Sequence, residues 1–320
     1  MGKFYSKMKE NQNTISIVIP FYNGNLFLRE LLYSLNESYL RSSKLLVPEI
    51  IIINDSPDIS EQTIRSIWEQ TDLEHNLNIK LFINFENKGV AYSRDLGASH
   101  ASGDFITWID QDDFVHKTYF SVLEQRVQSK QNVYLLNGYI CKNTADTAIP
   151  VFYVKPAVNF KHVLFNNPVL STSFWIINRD FLNTLNVRFY LPEQIYKGVD
   201  DWFFSLQLTQ NPLKIEYVSN RLIYYRFHET NFGNDVVGAI DGGLELLKII
   251  LQNKDTFPKH KLLSRIKTLT FSKRFYSENK FWVVFSEPFN FIRFLIRYCY
   301  DINRMLRFIR KLFHQTKFRT

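Results

Sequence analysis

Between Ile15 and Asp110 the chain alternates short β-branched apolar runs with segments of helical period, and this alternation restricts the fold more than any other feature. The runs ISIVIPF (15–21), EIIIIND (49–55), IKLFIN (79–84) and DFITWID (104–110) read as strands buried on both faces. Between the first two, Leu28, Leu31, Leu32, Leu35 and Tyr39 recur at three- and four-residue spacing over 26–40. Helical patterns also fill 60–70 and 90–101. Strands separated in this way pair in parallel through βαβ units, so the first 115 residues read as an α/β half of the nucleotide-binding type. Beyond it the pattern predicts a helix over 116–130, a strand over 133–140 and an apolar stretch of strand character over 151–178. A helix over 199–210 and a strand over 213–226 follow. Past Asn234 only helical patterns occur, over 236–252, 258–275 and 289–313. The expected organisation is an N-terminal extension (1–14), an α/β domain (15–235) and a helical C-terminal region (236–320).

Composition excludes several classes. With 45% apolar and 22% charged residues the chain is globular, and 11 Gly, 10 Pro and 2 Cys exclude collagenous, low-complexity and disulfide-scaffold proteins. Aromatic residues reach 16%, which favours stacking surfaces or a bulky aromatic core. The net charge of +8 is unevenly placed: residues 289–320 carry eight Lys and Arg against Asp301 alone. The remainder, 31 bases against 30 acids, is nearly neutral. A neutral body with a basic tail is not the footprint of a nucleic-acid binder, and no nucleic acid is expected as a partner. In the tail, Ile292, Leu295, Cys299, Ile302, Leu306 and Ile309 form an apolar stripe opposed by Arg293, Arg297, Arg304 and Lys311. Such a basic amphipathic helix reads as membrane-surface binding through 289–313, or as a helix packed on its own domain or a partner. The N-terminal stretch lacks the apolar core of a secretory signal, and Cys141 and Cys299 read as free thiols. The expected location is the cytoplasm, peripherally at the inner face of the cell membrane.

In an open parallel sheet, ligands sit at the carboxyl ends of the strands. Those positions carry Asn23, Asp55, the stretch Asn84 to Lys88, and Asp110, Asp112 and Asp113. Asn23 and Asp55 are equally readable as helix caps. Capping does not account for Asp110-Gln111-Asp112-Asp113, whose carboxylates repel one another unless a cation neutralises them. Mg²⁺ or Mn²⁺ would take one or two of these carboxylates and fill its shell with phosphate oxygens and water; a solvated acidic turn is the plainer reading.

The order of these segments resembles family 2 glycosyltransferases of the inverting type. NKGVAYSRDLGASHASGDFITWIDQDD (87–113) is similar to that family's central block of Asn-x-Gly, Arg, Gly, Gly-Asp, an apolar strand and Asp-x-Asp-Asp. ISIVIPFYN and IIIINDSPD resemble its first and second strand ends, although Ser56 stands where Gly is usual. Downstream, FYLPEQIYKGVDDWFFSLQL (189–208) resembles the family segment with Glu-Asp-Trp at a helix start, with Asp200 in the Glu position, and YYRFHETN (224–231) resembles its Tyr-Arg-x-His. The resemblance implies an α/β fold of the GT-A type, a Rossmann-like mixed sheet flanked by helices, with a C-terminal helical extension. It implies that Pro20, Asn23, Asp55, Lys88, Arg94, Asp110, Gln111, Asp200 and Trp202 surround a nucleotide-sugar, favouring UDP. It further implies that Asp112 with His228 holds Mg²⁺ or Mn²⁺, that Arg226 approaches the diphosphate or the metal, and that Asp201 is the catalytic base. The residues taken alone leave other readings open. Arg94 has Asp110 and Asp95 as ion-pair candidates, Asp200 and Asp201 suit the first turn of any helix, Trp202 suits a core, and His228 suits a structural hydrogen bond. The acceptor expected from resemblance and charge is a glycan, lipid-linked, in bacterial surface polysaccharide synthesis. Two rivals remain from the sequence: a nucleotidyltransferase, which the single Gly of PFYNGN disfavours, and a non-catalytic protein that works through its basic tail.

Overall fold

The computed structural model of the 320-residue chain describes residues 12–69, 73, 77–129, 131–142, 145, 148–190, 198–227, 235–253 and 257–278, with 283, 286, 287, 290 and 291 beyond them. Two compact units are distinguished. The first comprises Met1–Ala157, Val169–Pro192 and Phe204–Glu229, and the second Val158–Pro168, Glu193–Phe203 and Thr230–Thr320.

Among the described residues the first unit holds a nine-stranded mixed sheet. Its strands are β1 (Asn13–Phe21), β2 (Leu46–Asn54), β3 (Asn78–Ile83), β4 (Phe105–Trp108), β5 (Phe114–Val115), β6 (Val133–Cys141), β7 (Ile149–Pro150), β8 (Trp175–Asn178) and β9 (Ile215–Arg226). They lie in the order β3-β2-β1-β4-β8-β6-β9-β5, with β7 beside β6. The β3-β2-β1-β4 half is parallel throughout. β8 is antiparallel to both β4 and β6, β9 runs parallel to β6, and β5 closes antiparallel on β9. Helices α1 (Asn25–Leu40), α2 (Glu61–Glu69) and α3 (Val90–Ser99) make the crossovers of the parallel half, and α4 (Tyr119–Arg126) follows β5. Ile17, Val18, Ile19 and Ile50 to Ile53 are fully buried, as strands covered on both faces require. Among the described residues part of the aromatic content packs in the interior: Phe189 stacks on Phe204 at 4.1 Å, and Trp108 meets both edge-on. At Gly97 a Cβ would stand 2.2 Å from Val18, so glycine is what lets α3 lie close on β1.

The second unit contains α5 (Phe160–Asn166), the first turn of α7 (Asp200–Leu208), and α8 (Val236–Asn253) and α9 (Lys259–Ser277). No helix among the described residues is long and apolar enough to cross a membrane. Of the expected amphipathic helix 289–313 only Asn290 and Phe291 are described, and both are helical; the rest, Cys299 included, lies outside the described residues.

Most expected elements form to within three residues. The exception is 151–178, expected to have strand character. There the chain forms α5, a 3-10 turn at Thr172–Phe174 and only the short β8. Polar punctuation overrides apolar content: the Asn159 side chain accepts from the His162 N–H at 3.1 Å to cap α5, and Asn167 ends it at φ 37°. The sequence reading also lacks β5, too short to show a period, and α6 (Arg179–Thr184), capped by Asn178.

At the amino ends of the central strands Glu49 is buried and fully engaged. It accepts from Ser16 Oγ at 2.5 Å, from the Ser102 N–H at 2.9 Å, from Ser102 Oγ at 2.7 Å and from the Lys80 ammonium. Burial alone would raise its carboxyl; the hydrogen bonds from Lys80, Ser16 and Ser102 outweigh it and bring the pKa from 4.5 to about 2. The folded state thus prefers ionised Glu49, which stabilises above pH 4.5 and is lost as pH falls through about 2. Glu49→Gln should cost about 2 kcal/mol at neutral pH. It should also flatten the loss of stability in urea titrations between pH 5 and pH 2.5, and an unaltered acid limb would refute this account.

Candidate active site

Because β1 to β4 run parallel, their carboxyl ends share one edge of the sheet, and the loops that follow them are built on buried donors and acceptors. Asp55 is only 4% exposed, and its carboxylate accepts the N–H of Lys88, the N–H of Gly89 and Asn84 Nδ2, each at 2.8 Å. It therefore holds the loop after β3 and does not cap the helix that follows it. Asn54 shapes the turn beside it, accepting from the Ser56 N–H at 2.9 Å and donating to the Ile59 carbonyl at 3.1 Å. Ser56 Oγ in turn accepts the N–H of Asn23 at 2.8 Å. Asn23 is exposed and left-handed at φ 50°, a conformation that Asn tolerates. Pro20 is buried in β1 opposite Ile53. The Lys88 side chain is at the surface, paired with Glu86.

The loops after β1 and β4 are strapped together by Gln111. Its amide donates to the Tyr22 carbonyl at 2.7 Å and accepts the Tyr22 N–H at 2.8 Å. A Cβ at Gly24 would stand 2.4 Å from that amide. Of the two acids available to Arg94, the structure pairs it with Asp110, while Asp95 accepts the N–H groups of Phe189 and Tyr190. Arg94 is 5% exposed, lies 5.6 Å from the Phe189 ring and has its carbonyl held by the Trp108 indole at 3.1 Å. A buried, braced guanidinium beside a carboxylate is a fixed cation, suited to stabilising phosphate charge.

The three acids of the turn occupy different environments. Asp110 is paired with Arg94 and accepts from Ser171 Oγ at 3.2 Å. Asp112 is half-buried. Asp113 is buried, and burial pushes its carboxyl well above the usual range, reinforced by Asp112 and Asp110 and opposed by hydrogen bonds from the Arg226 N–H and Ser173. The repulsion that the sequence poses is thus partly relieved by Arg94 and by this shift. The Arg226 guanidinium pairs with Glu30 at 2.5 Å and lies 5.0 and 5.1 Å from the rings of Phe27 and Phe114.

Asp200, Asp201 and Trp202 belong to the second unit, in the first turn of α7. Asp200 is buried, and Asp201 is half-buried with Oδ1 accepting the Trp202 N–H at 2.6 Å. Trp202 is enclosed: its indole donates to the Val163 carbonyl at 2.7 Å, and the Arg265 guanidinium lies 5.7 Å from the ring. His228 lies outside the described residues. The structure therefore gathers Asn23, Asp55, Lys88, Arg94, Asp110, Gln111 and Asp112 at the carboxyl ends of β1 to β4. Sequence reasoning singles out Asn84 by its place after a strand and Ser56 as a departure from the family pattern, and it misses Ser171 and Ser173, which no spacing signal flags.

No group of three or more His, Cys, Asp or Glu among the described residues is arranged to hold a metal ion. The donor chemistry still fits one kind of ion. With Asp110 paired to Arg94 and Asp113 turned inward, the half-buried Asp112 suits a hard cation that completes its shell with phosphate oxygens and water, and an all-protein cage is not built.

The braced Arg–Asp pair and the acidic turn thus stand at the carboxyl edge of the parallel strands, where open α/β sheets take their ligands. The chain belongs to glycosyl transferase family 2, whose sequence model matches residues 16–185. It is 26% identical over 227 residues to EpsH of Bacillus subtilis (strain 168), which carries a provisional glycosyltransferase name; the match covers 67% of this chain and 61% of EpsH. It is 22% identical over 211 residues to TarS of Staphylococcus aureus (strain Mu50), a poly(ribitol-phosphate) β-N-acetylglucosaminyltransferase; the match covers 66% of this chain and 35% of TarS. The chain thus spans less than two thirds of these relatives. The crystal structure of S. aureus TarS residues 1–349 in complex with UDP-GlcNAc has the same fold, with a TM-score of 0.59 at 17% identity over 88% of this chain and 79% of that one. The GT-A-type fold expected from the sequence is therefore the fold of the chain.

Replacing Asp55 with Asn puts an amide donor against backbone N–H groups and should cost about 1–3 kcal/mol. The expected signature is faster hydrogen exchange at the Lys88 and Gly89 amides than elsewhere in the sheet; uniform exchange would show that Asp55 does not hold this loop.

Proposed function

We propose that the chain is an inverting glycosyltransferase that moves a sugar from a nucleoside-diphosphate donor, UDP in the first instance, to a hydroxyl of a glycan acceptor. The observation that carries this reading is the pairing of buried Arg94 with Asp110, beside Asp112, at the carboxyl ends of β1 and β4. The UDP-GlcNAc held by TarS, a protein of the same fold, supports the choice of nucleotide. The loops braced by Asp55 and Gln111 form the bed for the base and ribose. Arg94 and Asp110 order the diphosphate side, with Arg94 countering the charge that grows on the leaving group. Asp112 is the residue to hold Mg²⁺ or Mn²⁺, with His228 as a second ligand; the ion supplies Lewis-acid stabilisation of the departing diphosphate. Asp201 takes the proton of the acceptor hydroxyl as its oxygen bonds to the anomeric carbon and the bond from that carbon to the diphosphate oxygen breaks. The nucleoside diphosphate leaves, and the configuration inverts. Lys88 and Asn23 stand on the loops of that bed, with Pro20 beneath them in β1; Asp200 and Trp202 are assigned to the donor by the family resemblance. The acceptor is a lipid-linked glycan of a bacterial surface polysaccharide, met at the inner face of the membrane through the basic stretch 289–313.

Calorimetry tests the donor half. UDP should bind in the presence of Mn²⁺ in preference to GDP and CDP, and EDTA or Asp112→Asn should weaken it at least about tenfold. Asp201→Asn should leave UDP affinity unchanged and lower the rate of UDP-sugar turnover about a hundredfold or more. Folded protein that binds none of the three nucleotides would overturn the proposal.

A further inference from the structure

Behind the acid turn runs a continuous line of short polar contacts. Arg94 pairs with Asp110, whose other oxygen accepts from Ser171 Oγ at 3.2 Å. Ser171 Oγ lies 3.0 Å from Ser173 Oγ, and Ser173 Oγ donates to Asp113 Oδ2 at 2.8 Å. Asp113 Oδ1 accepts the Arg226 N–H at 3.1 Å, which ties the line to the end of β9. Ser171 and Ser173 are 4% and 0% exposed, so Ser173 lies out of reach of a bound substrate. They belong to the 3-10 turn entering β8, where Ser171 Oγ also accepts the Ser173 N–H at 3.2 Å.

We propose that Ser171 and Ser173 are positioning residues that fix the side-chain directions of Asp110 and Asp113, and with them the bed of the nucleoside diphosphate. The proposal rests on the function set out above. The turn's own backbone bond, Asp113 N–H to the Asp110 carbonyl at 3.0 Å, closes the loop but leaves both carboxylates free to rotate. Each serine spends its one hydroxyl proton on a different carboxylate, and both hydroxyls stand on one rigid turn. The spacing of the two acids is thereby copied from β8, the antiparallel neighbour of β4, and not set by the acidic loop itself. Buried as they are, the serines cannot be replaced by water, so loss of either hydroxyl removes one of the bonds that fix its carboxylate and leaves Asp113 on the Arg226 N–H. Arg94 would then hold Asp110 through one oxygen alone.

The test is a double-mutant cycle read by UDP affinity with Mn²⁺. Ser171→Ala and Ser173→Ala are each expected to weaken UDP about tenfold, with unfolding midpoints close to wild type. In the Asp110→Asn background Ser171→Ala should add nothing, because Ser171 acts through Asp110. Wild-type affinity in the folded Ser171→Ala protein, or a full additional loss in the Asp110→Asn background, would overturn the proposal and leave the glycosyltransferase reading intact. Should Ser173→Ala fail to fold, the Ser171 cycle decides alone. Absence of UDP binding by the wild-type protein would instead overturn the functional reading, and this proposal with it.

Discussion

A carboxylate removed from water must be met by donors or give up its charge, and the first unit meets this demand at both ends of its central strands. At the amino ends Glu49 gathers Ser16, Lys80 and Ser102, which ties β1, β2 and β3 to the segment entering β4. At the carboxyl ends Asp55, Asp110 and Asp113 do the same for the loops. The two ends differ in what is left over. These contacts to Glu49 join neighbouring strands and the segment entering β4, so that end reads as a clamp. The carboxyl end uses its acids to shape loops that carry the exposed Asn23 and Lys88.

This difference explains why residues that resemble binding motifs turn out to be braces. Asp55 spends its oxygens on the Lys88 and Gly89 amides and on Asn84, and Gln111 spends its amide on Tyr22. A loop that must present backbone groups to a nucleotide gains from being ordered beforehand, since ordering it on binding would subtract from affinity. The polar residues at these strand ends hold the loops still.

The parallel half of the sheet was readable from sequence because its strands are buried on both faces and its helices have long apolar periods. Arg94 and Asp110 stood out because one motif carries both. What the sequence hides depends on contacts between distant segments. Ser171 and Ser173 sit in an apolar stretch with no spacing signal, and only the antiparallel return of β8 beside β4 brings them 61 and 60 residues back to Asp110 and Asp113. The misreading of 151–178 has a local cause, since single Asn caps at 159 and 178 outweigh apolar content when the helices are only one or two turns long.

The stretch matched by the family model, 16–185, contains the whole of the braced edge: Asp55, Arg94, the acid turn and the serine turn. It ends before Asp200, Asp201 and Trp202 and before the helices of the second unit. Chemistry that all members of a family must perform belongs in what they share, and handling the leaving nucleotide is such a step. The acceptor differs from one member to the next, and its recognition is free to reside in segments that the family model does not describe. On that argument the braced acids of the first unit belong to what the family shares, while the residues from 186 onward, with their tail of eight bases against one acid, lie outside the stretch the family model describes.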